Sequence, residues 1–170
     1  MNRIMVAVGV VALMLIVGGC SHQKHEEGAK IAPGEVPAAV MNTAKTRLPG
    51  AEVTSVEKEN EKGGVVYDLE LKQAGRKYEM DIKEDGTLME IEKQVMASDI
   101  PAAVMTNVKA KYPNATLKEI MEVNKVSGKQ ETPIHYEVTV MDGGKERELV
   151  VSLDGTKVQS EAEAEKEEKK

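Results

Sequence analysis

Carboxylates are the residues of this sequence best spaced to act together. Asp68 and Glu70, Glu79 and Asp81, and Glu90 and Glu92 each stand two apart. In a strand that spacing puts both side chains on one face. Such pairs could serve acid–base chemistry or hold calcium. Catalytic carboxylates need a pocket that shifts their pKa, whereas here Lys58, Lys72, Arg76, Lys77, Lys83 and Lys93 interleave with them. The pattern reads as a solvated, cross-paired sheet face that can serve as a docking surface. Its outward residues Glu70, Glu79 and Asp81, with a longer loop from Lys125 to Thr132, are the candidate partner contacts. His22 and His25 stand three apart with Glu26 and Glu27 after them. A metal site needs a further ligand and a rigid frame, so this stretch reads as linker. His135, beside Pro133, reads as an edge residue at a strand start. The methionines outside the N-terminal stretch are spread, without the close pair of a copper thioether site. No Ser-His-Asp arrangement, phosphate-binding glycine loop or nucleotide fingerprint occurs. No catalytic residue, metal or cofactor is expected.

Composition narrows the function further. The chain has 170 residues, 23 basic and 29 acidic side chains, a net charge of −6 and one Cys. Nucleic acid is not an expected partner, because phosphate binding needs a basic patch. A single Cys excludes an intramolecular disulfide and any multi-Cys metal site. That Cys, Cys20, follows a positive start (Met1-Asn2-Arg3), an apolar run from Ile4 to Val17, and Gly18-Gly19. The run is short for a spanning helix, which needs roughly twenty residues, and suits a secretory signal. Small residues before Cys20 resemble the bacterial lipobox. The resemblance implies cleavage between Gly19 and Cys20, acylation of Cys20, and a partner in the lipid membrane. Two or more acyl chains anchor stably. Removing residues 1–19 takes away one Arg and no acid, from −6 to −7. Anionic headgroups would repel such a domain, so the lipid is what would hold it. Ser21 after the Cys fits the rule for export to the outer membrane, facing the periplasm, in double-membraned bacteria.

The elements that must position the carboxylates repeat. Val36-Pro37-Ala38-Ala39-Val40-Met41 matches Ile100-Pro101-Ala102-Ala103-Val104-Met105, an offset of 64. Tyr67 to Leu71 matches Tyr136 to Val140, and Asp85-Gly86-Thr87 matches Asp154-Gly155-Thr156, both at 69. The second copy thus carries five extra residues around Lys125 to Thr132. Each copy opens with a helix of about twelve residues, with Val40, Ala44 and Leu48, or Val104, Val108 and Tyr112, on one face. Pro37 and Pro101 suit helix starts, Ser98 or Asp99 could cap the second, and Pro49 and Pro113 stop both. Strict alternation follows: Tyr67, Leu69, Leu71; Tyr78, Met80, Ile82; then Leu88 or Met89 with Ile91. Ala74-Gly75 and Asp85-Gly86 are hairpin turns. The expected fold is α+β: two tandem α-β-β-β-β units, their antiparallel sheets each covered on one face by a helix. The expected divisions are signal peptide 1–19, tether 20–35, first unit 36–96, second unit 97–159 and charged tail 160–170.

Helix, Leu48-Pro49-Gly50-Ala51, the alternating Val66 to Leu71 and Tyr78 to Ile82, and the Glu84-Asp85-Gly86-Thr87 hairpin resemble PepSY-like domains, which share the fold of the β-lactamase inhibitory protein. The resemblance spans Val36 to about Val158, over both units. It implies an exported, non-enzymatic protein that binds or inhibits another protein of the cell envelope, such as a peptidase. Interface hot spots are rich in Trp, Tyr and Arg, and the inhibitor's binding surface is rich in aromatics. Trp and Phe are absent here, which argues against β-lactamase as the target. The alternative expectation is a lipoprotein sensing a small ligand or metal ion, supported by His22, His25 and the acidic face.

Overall fold

The computed structural model describes residues 28–61, 63–160 and 162–164. Gly19, Cys20, His22 and His25 lie outside the described residues. In chain order come β1 (Ala29–Lys30), a 3-10 turn (Pro33–Glu35), α1 (Ala38–Arg47), β2 (Glu52–Glu61), β3 (Gly64–Gln73), β4 (Arg76–Lys83) and β5 (Leu88–Gln94). Then follow α2 (Ala102–Lys111), β6 (Thr116–Ser127), β7 (Gln130–Asp142), β8 (Lys145–Ser152) and β9 (Val158–Ser160). Among the described residues all nine strands form one antiparallel sheet in sequence order. The sheets expected of the two units are continuous, because β5 pairs with β4 on one side and β6 on the other.

The helices form where the repeated apolar positions predict. Val40 and Ala44 of α1 are buried against Leu69, Leu71, Met80, Ile82, Leu88 and Ile91. Val104 and Val108 of α2 are buried against Ile120, Tyr136, Val138, Val140, Leu149 and Val151. Ile91 pairs with Asn124, so Ile120, Asn124 and Val126 of β6 share the face of Ile91. Both helices thus cover the same face of the sheet. Each runs ten residues, with Pro37 or Pro101 at the N-cap and no side-chain capping bond. The expected cap by Ser98 or Asp99 does not form. Asp99 instead accepts from the Met96 N–H and the Ser98 hydroxyl, closing the turn before the helix.

The two aspartate-glycine hairpins lock the helices down. Thr43 Oγ1 donates to the Gly86 carbonyl at 2.7 Å, and Asn107 Nδ2 donates to the Gly155 carbonyl at 2.7 Å. Both glycines have positive φ, +89° and +73°. A Cβ on Gly155 would lie 2.4 Å from the Val104 backbone nitrogen, so this approach requires glycine.

Two expectations are corrected. Residues Ala29 to Ile31 are not tether: Ala29 and Lys30 pair with Lys58 and Glu57, and the Ile31 N–H donates to the Val56 carbonyl at 3.1 Å. Two residues are too few to show a period. Sixty-four positions on, Val95 donates to Ile120 at 3.0 Å in the same way. Lys125 to Thr132 is not a loop either. β6 and β7 pair through Lys125↔Thr132, Val126↔Glu131 and Ser127↔Gln130, leaving a two-residue turn at Gly128-Lys129. The five additional residues lengthen a hairpin, and Val126 at its tip is buried in the α1 core.

Candidate protein-docking face

The face opposite the helices carries the carboxylates. A two-residue turn at Ala74-Gly75, with φ of 50° and 80°, sets the β3–β4 register. Counting outward, Glu70 pairs with Glu79 and Asp68 with Asp81. β4 in turn pairs Glu79 with Glu92 and Asp81 with Glu90. The result is two rows, Glu70–Glu79–Glu92 and Asp68–Asp81–Glu90, each crossing three strands. Of the interleaved lysines, Lys72 stands opposite Glu52 and Lys93 opposite Glu122 as expected, but within the two rows the acids of β3, β4 and β5 face one another, and Lys72 also faces Lys77. Like charges directly opposite destabilise a sheet.

Lys77 offsets part of this by reaching along its own strand, diagonally to β3, and past β5 to β6. Its Nζ lies 2.6 Å from Glu79, 3.5 Å from Glu119 and 3.9 Å from Glu70. Burial by itself lowers the Lys77 pKa, but the Glu79 hydrogen bond and the charges of Glu79, Glu119 and Glu70 outweigh it and raise the value. Gln94 ties the cluster together: the Lys77 N–H donates to Gln94 Oε1 at 3.1 Å, and Gln94 Nε2 donates to Glu119 Oε1 at 2.9 Å. Glu79 is accordingly not an exposed contact. It is 4% exposed and serves to hold Lys77. Glu70 and Asp81 are half-buried. No sequence signal joins Lys77, Gln94 and Glu119, because they come from three different strands, whereas counting from the Ala74-Gly75 turn does place Glu70 opposite Glu79.

His135 lies inside β7, between Val123 and Ser152, rather than at a sheet edge. Its Nε2 is 3.4 Å from Glu137 Oε1. Among the described residues no group of three or more His, Cys, Asp or Glu is arranged to hold a metal ion. Nor, among them, is any helix long and apolar enough to cross a membrane. The face offers fixed negative charge on a rigid sheet, which suits recognition of a cationic surface.

A family model described as "Putative beta-lactamase-inhibitor-like, PepSY-like" matches residues 66–158, more than half of the 170-residue chain. The chain belongs to the PepSY-like family. A second model, "Peptidase propeptide and YPEB domain", matches residues 37–83, which hold α1 and the strands up to β4. Solved structures share this fold. A DUF2874 family protein from Bacteroides uniformis is 15% identical, with a TM-score of 0.53 over 73% of this chain and 88% of that one. A protein from Bacteroides eggerthii, described among "putative periplasmic proteins", is 16% identical, with a TM-score of 0.53 over 74% of this chain and 88% of that one. At such identities the likeness is one of fold. No curated protein matches the chain.

Proposed function

We propose that this PepSY-like chain is a non-catalytic lipoprotein of the cell envelope that binds, and by binding inhibits, another envelope protein such as a peptidase. The observation that carries the reading is the pair of carboxylate rows. Stacking like charges costs stability, and acids gathered on one sheet face are complementary to a cationic partner surface. The inhibitor-like and peptidase-propeptide family descriptions support binding as the class. The periplasmic description of the Bacteroides eggerthii protein supports the compartment.

The anchor is the acylated Cys20, exposed after cleavage behind Gly19, with the protein held to the outer membrane and facing the periplasm. We read the chain further as two PepSY-like units in tandem, 36–96 and 97–159. The matching bonds of Ile31 to Val56 and Val95 to Ile120, and the near-identical N-cap angles of Pro37 and Pro101, support this.

Two measurements test the reading. Cys20→Ser should move the protein from the membrane to the soluble fraction and abolish labelling by a fatty-acid analogue. Crosslinking in cells followed by mass spectrometry should recover one reproducible envelope protein. The charge reversals Glu70→Lys and Asp81→Lys together should weaken that capture by about tenfold at low salt. Capture indifferent to both reversals would sink the docking assignment.

A further inference from the structure

A second surface, unlike the acidic rows in charge, lies where the Ala74-Gly75 turn meets the segment between β5 and α2 and the start of β6. A groove of about 420 Å³ opens there, within the range of roughly 300–1,000 Å³ usual for ligand sites. Val95, Met96 and Leu117 supply its apolar lining, and Arg76 and Lys118 stand on its rim. Met96 is 59% and Leu117 37% exposed, two of the three exposed large hydrophobic residues among those described.

The charge of the groove is set by what is already used. Its one acid, Glu119, is bonded to Gln94 and paired with Lys77. Arg76 and Lys118 are exposed and have no ion-pair partner among the described residues. On a chain of net charge −6, this is a local cationic rim around an apolar floor. The fold does not demand it. Sixty-four residues earlier, Ala32, Val53 and Thr54 occupy the places of Met96, Leu117 and Lys118, and Val53 is packed against the α1 core. The Gln94 bonds and the Val95-to-Ile120 backbone bond hold the walls in place before any partner arrives, which lowers the cost of binding. Methionine adapts to a varied apolar guest, and arginine is enriched at interface hot spots.

We propose that this groove takes an extended segment of a protein partner in which a large apolar side chain is flanked by carboxylates. The proposal rests on the binding-module reading above and names its second contact. A lipid surface fits worse, because an acidic domain is repelled by anionic headgroups and only two cations line the rim.

The test pans a phage-displayed library of random dodecapeptides on the full-length chain in detergent. Enriched peptides should share a Leu, Ile, Met or Phe between acidic residues. A synthetic copy of the leading peptide should bind at least about tenfold more weakly to Met96→Ser or Leu117→Ser, with melting temperatures unchanged. Panning on the Arg76→Glu/Lys118→Glu double variant should switch the flanking residues to Lys and Arg. Peptides without acids, or binding indifferent to all four positions, would overturn the proposal. So would binding of phosphatidylglycerol vesicles that the double variant abolishes, which would assign the groove to the membrane. If the groove fails while Glu70→Lys/Asp81→Lys still weakens capture, the binding-module reading stands. If both fail, that reading falls with it.

Discussion

Ala74 has a φ of 50°, alone among the described non-glycine residues in being positive. It opens the turn that sets the register of the acidic rows. At the matching turn of β7 and β8, glycines occupy both places, with φ of 58° and 78° at Gly143 and Gly144. An L-residue in this region costs roughly 1–2 kcal/mol, and the extra freedom of glycine in the unfolded chain offsets part of that. Ala74→Gly should therefore stabilise the protein by about 0.5–1 kcal/mol, read as a higher urea midpoint at unchanged slope. A lower midpoint would show that the turn is not of this kind. Asp154 makes a second prediction at the same scale. Its Oδ1 accepts from Ser152 Oγ at 2.6 Å, Thr156 Oγ1 at 2.8 Å and Thr156 N at 3.0 Å. These bonds, Ser152 first, hold its pKa at about 2, below the ordinary 3.8. A depressed carboxyl pKa contributes stability above its unfolded value and loses it as the pH falls through the folded one. The turn should therefore keep its bonds at pH 4 and loosen near pH 2. Carbon-detected NMR titration should find Asp154 near 2, and Ser152→Ala should raise it. An ordinary value in the parent protein would refute the bond network.

The elements were unevenly legible. Apolar spacing and flanking prolines mark both helices, and strict alternation marks β3, β4, β7 and β8, because burial on one face imposes a period the sequence must keep. The longer β6–β7 hairpin was not legible. Around its tip only Val126 is apolar among Lys125, Ser127, Gly128, Lys129 and Gln130, so no period survives and the segment reads as loop. What orders it lies far off in sequence. Arg47 of α1 donates to the Gly128 carbonyl at 2.8 Å and pairs with Glu131 at 3.2 Å. Lys93 of β5 pairs with the same Glu131. The hairpin thus belongs by sequence to the second half and by packing to the first. Val126→Ala removes two buried carbons and should cost about 1.5 kcal/mol. Hydrogen exchange should quicken in α1 and β5 as well as in the hairpin. Exchange that changes only within β6 and β7 would show that the hairpin does not brace the first half.

At the scale of the whole molecule, the question is whether two thin halves can stand alone. Domains of about sixty residues bury only about 60% of their unfolded surface and have little stability to spare. The first half here is also incomplete by itself. Its core takes Val126 from β6, its last strand β5 is covered on one edge by β6, and two of its cations, Arg47 and Lys93, share a carboxylate from β7. Lys77 of β4 likewise reaches Glu119 of β6 across the junction. Cutting the chain in the segment before α2 would expose a β5 edge, open a gap in the α1 core and leave Arg47 and Lys93 side by side without their carboxylate. These losses act on one hydrogen-bonded sheet, so they should couple the halves into a single transition. The whole chain should melt once, with calorimetric and van't Hoff enthalpies equal. A fragment of residues 28–96 should show no cooperative melt, or one at least about 10 °C lower, since roughly 1 kcal/mol shifts the midpoint of a domain this size by 4–8 °C. A fragment that melts cooperatively at the temperature of the whole chain would mean that the first half is self-sufficient and that the hairpin, for all its contacts, does not carry the junction.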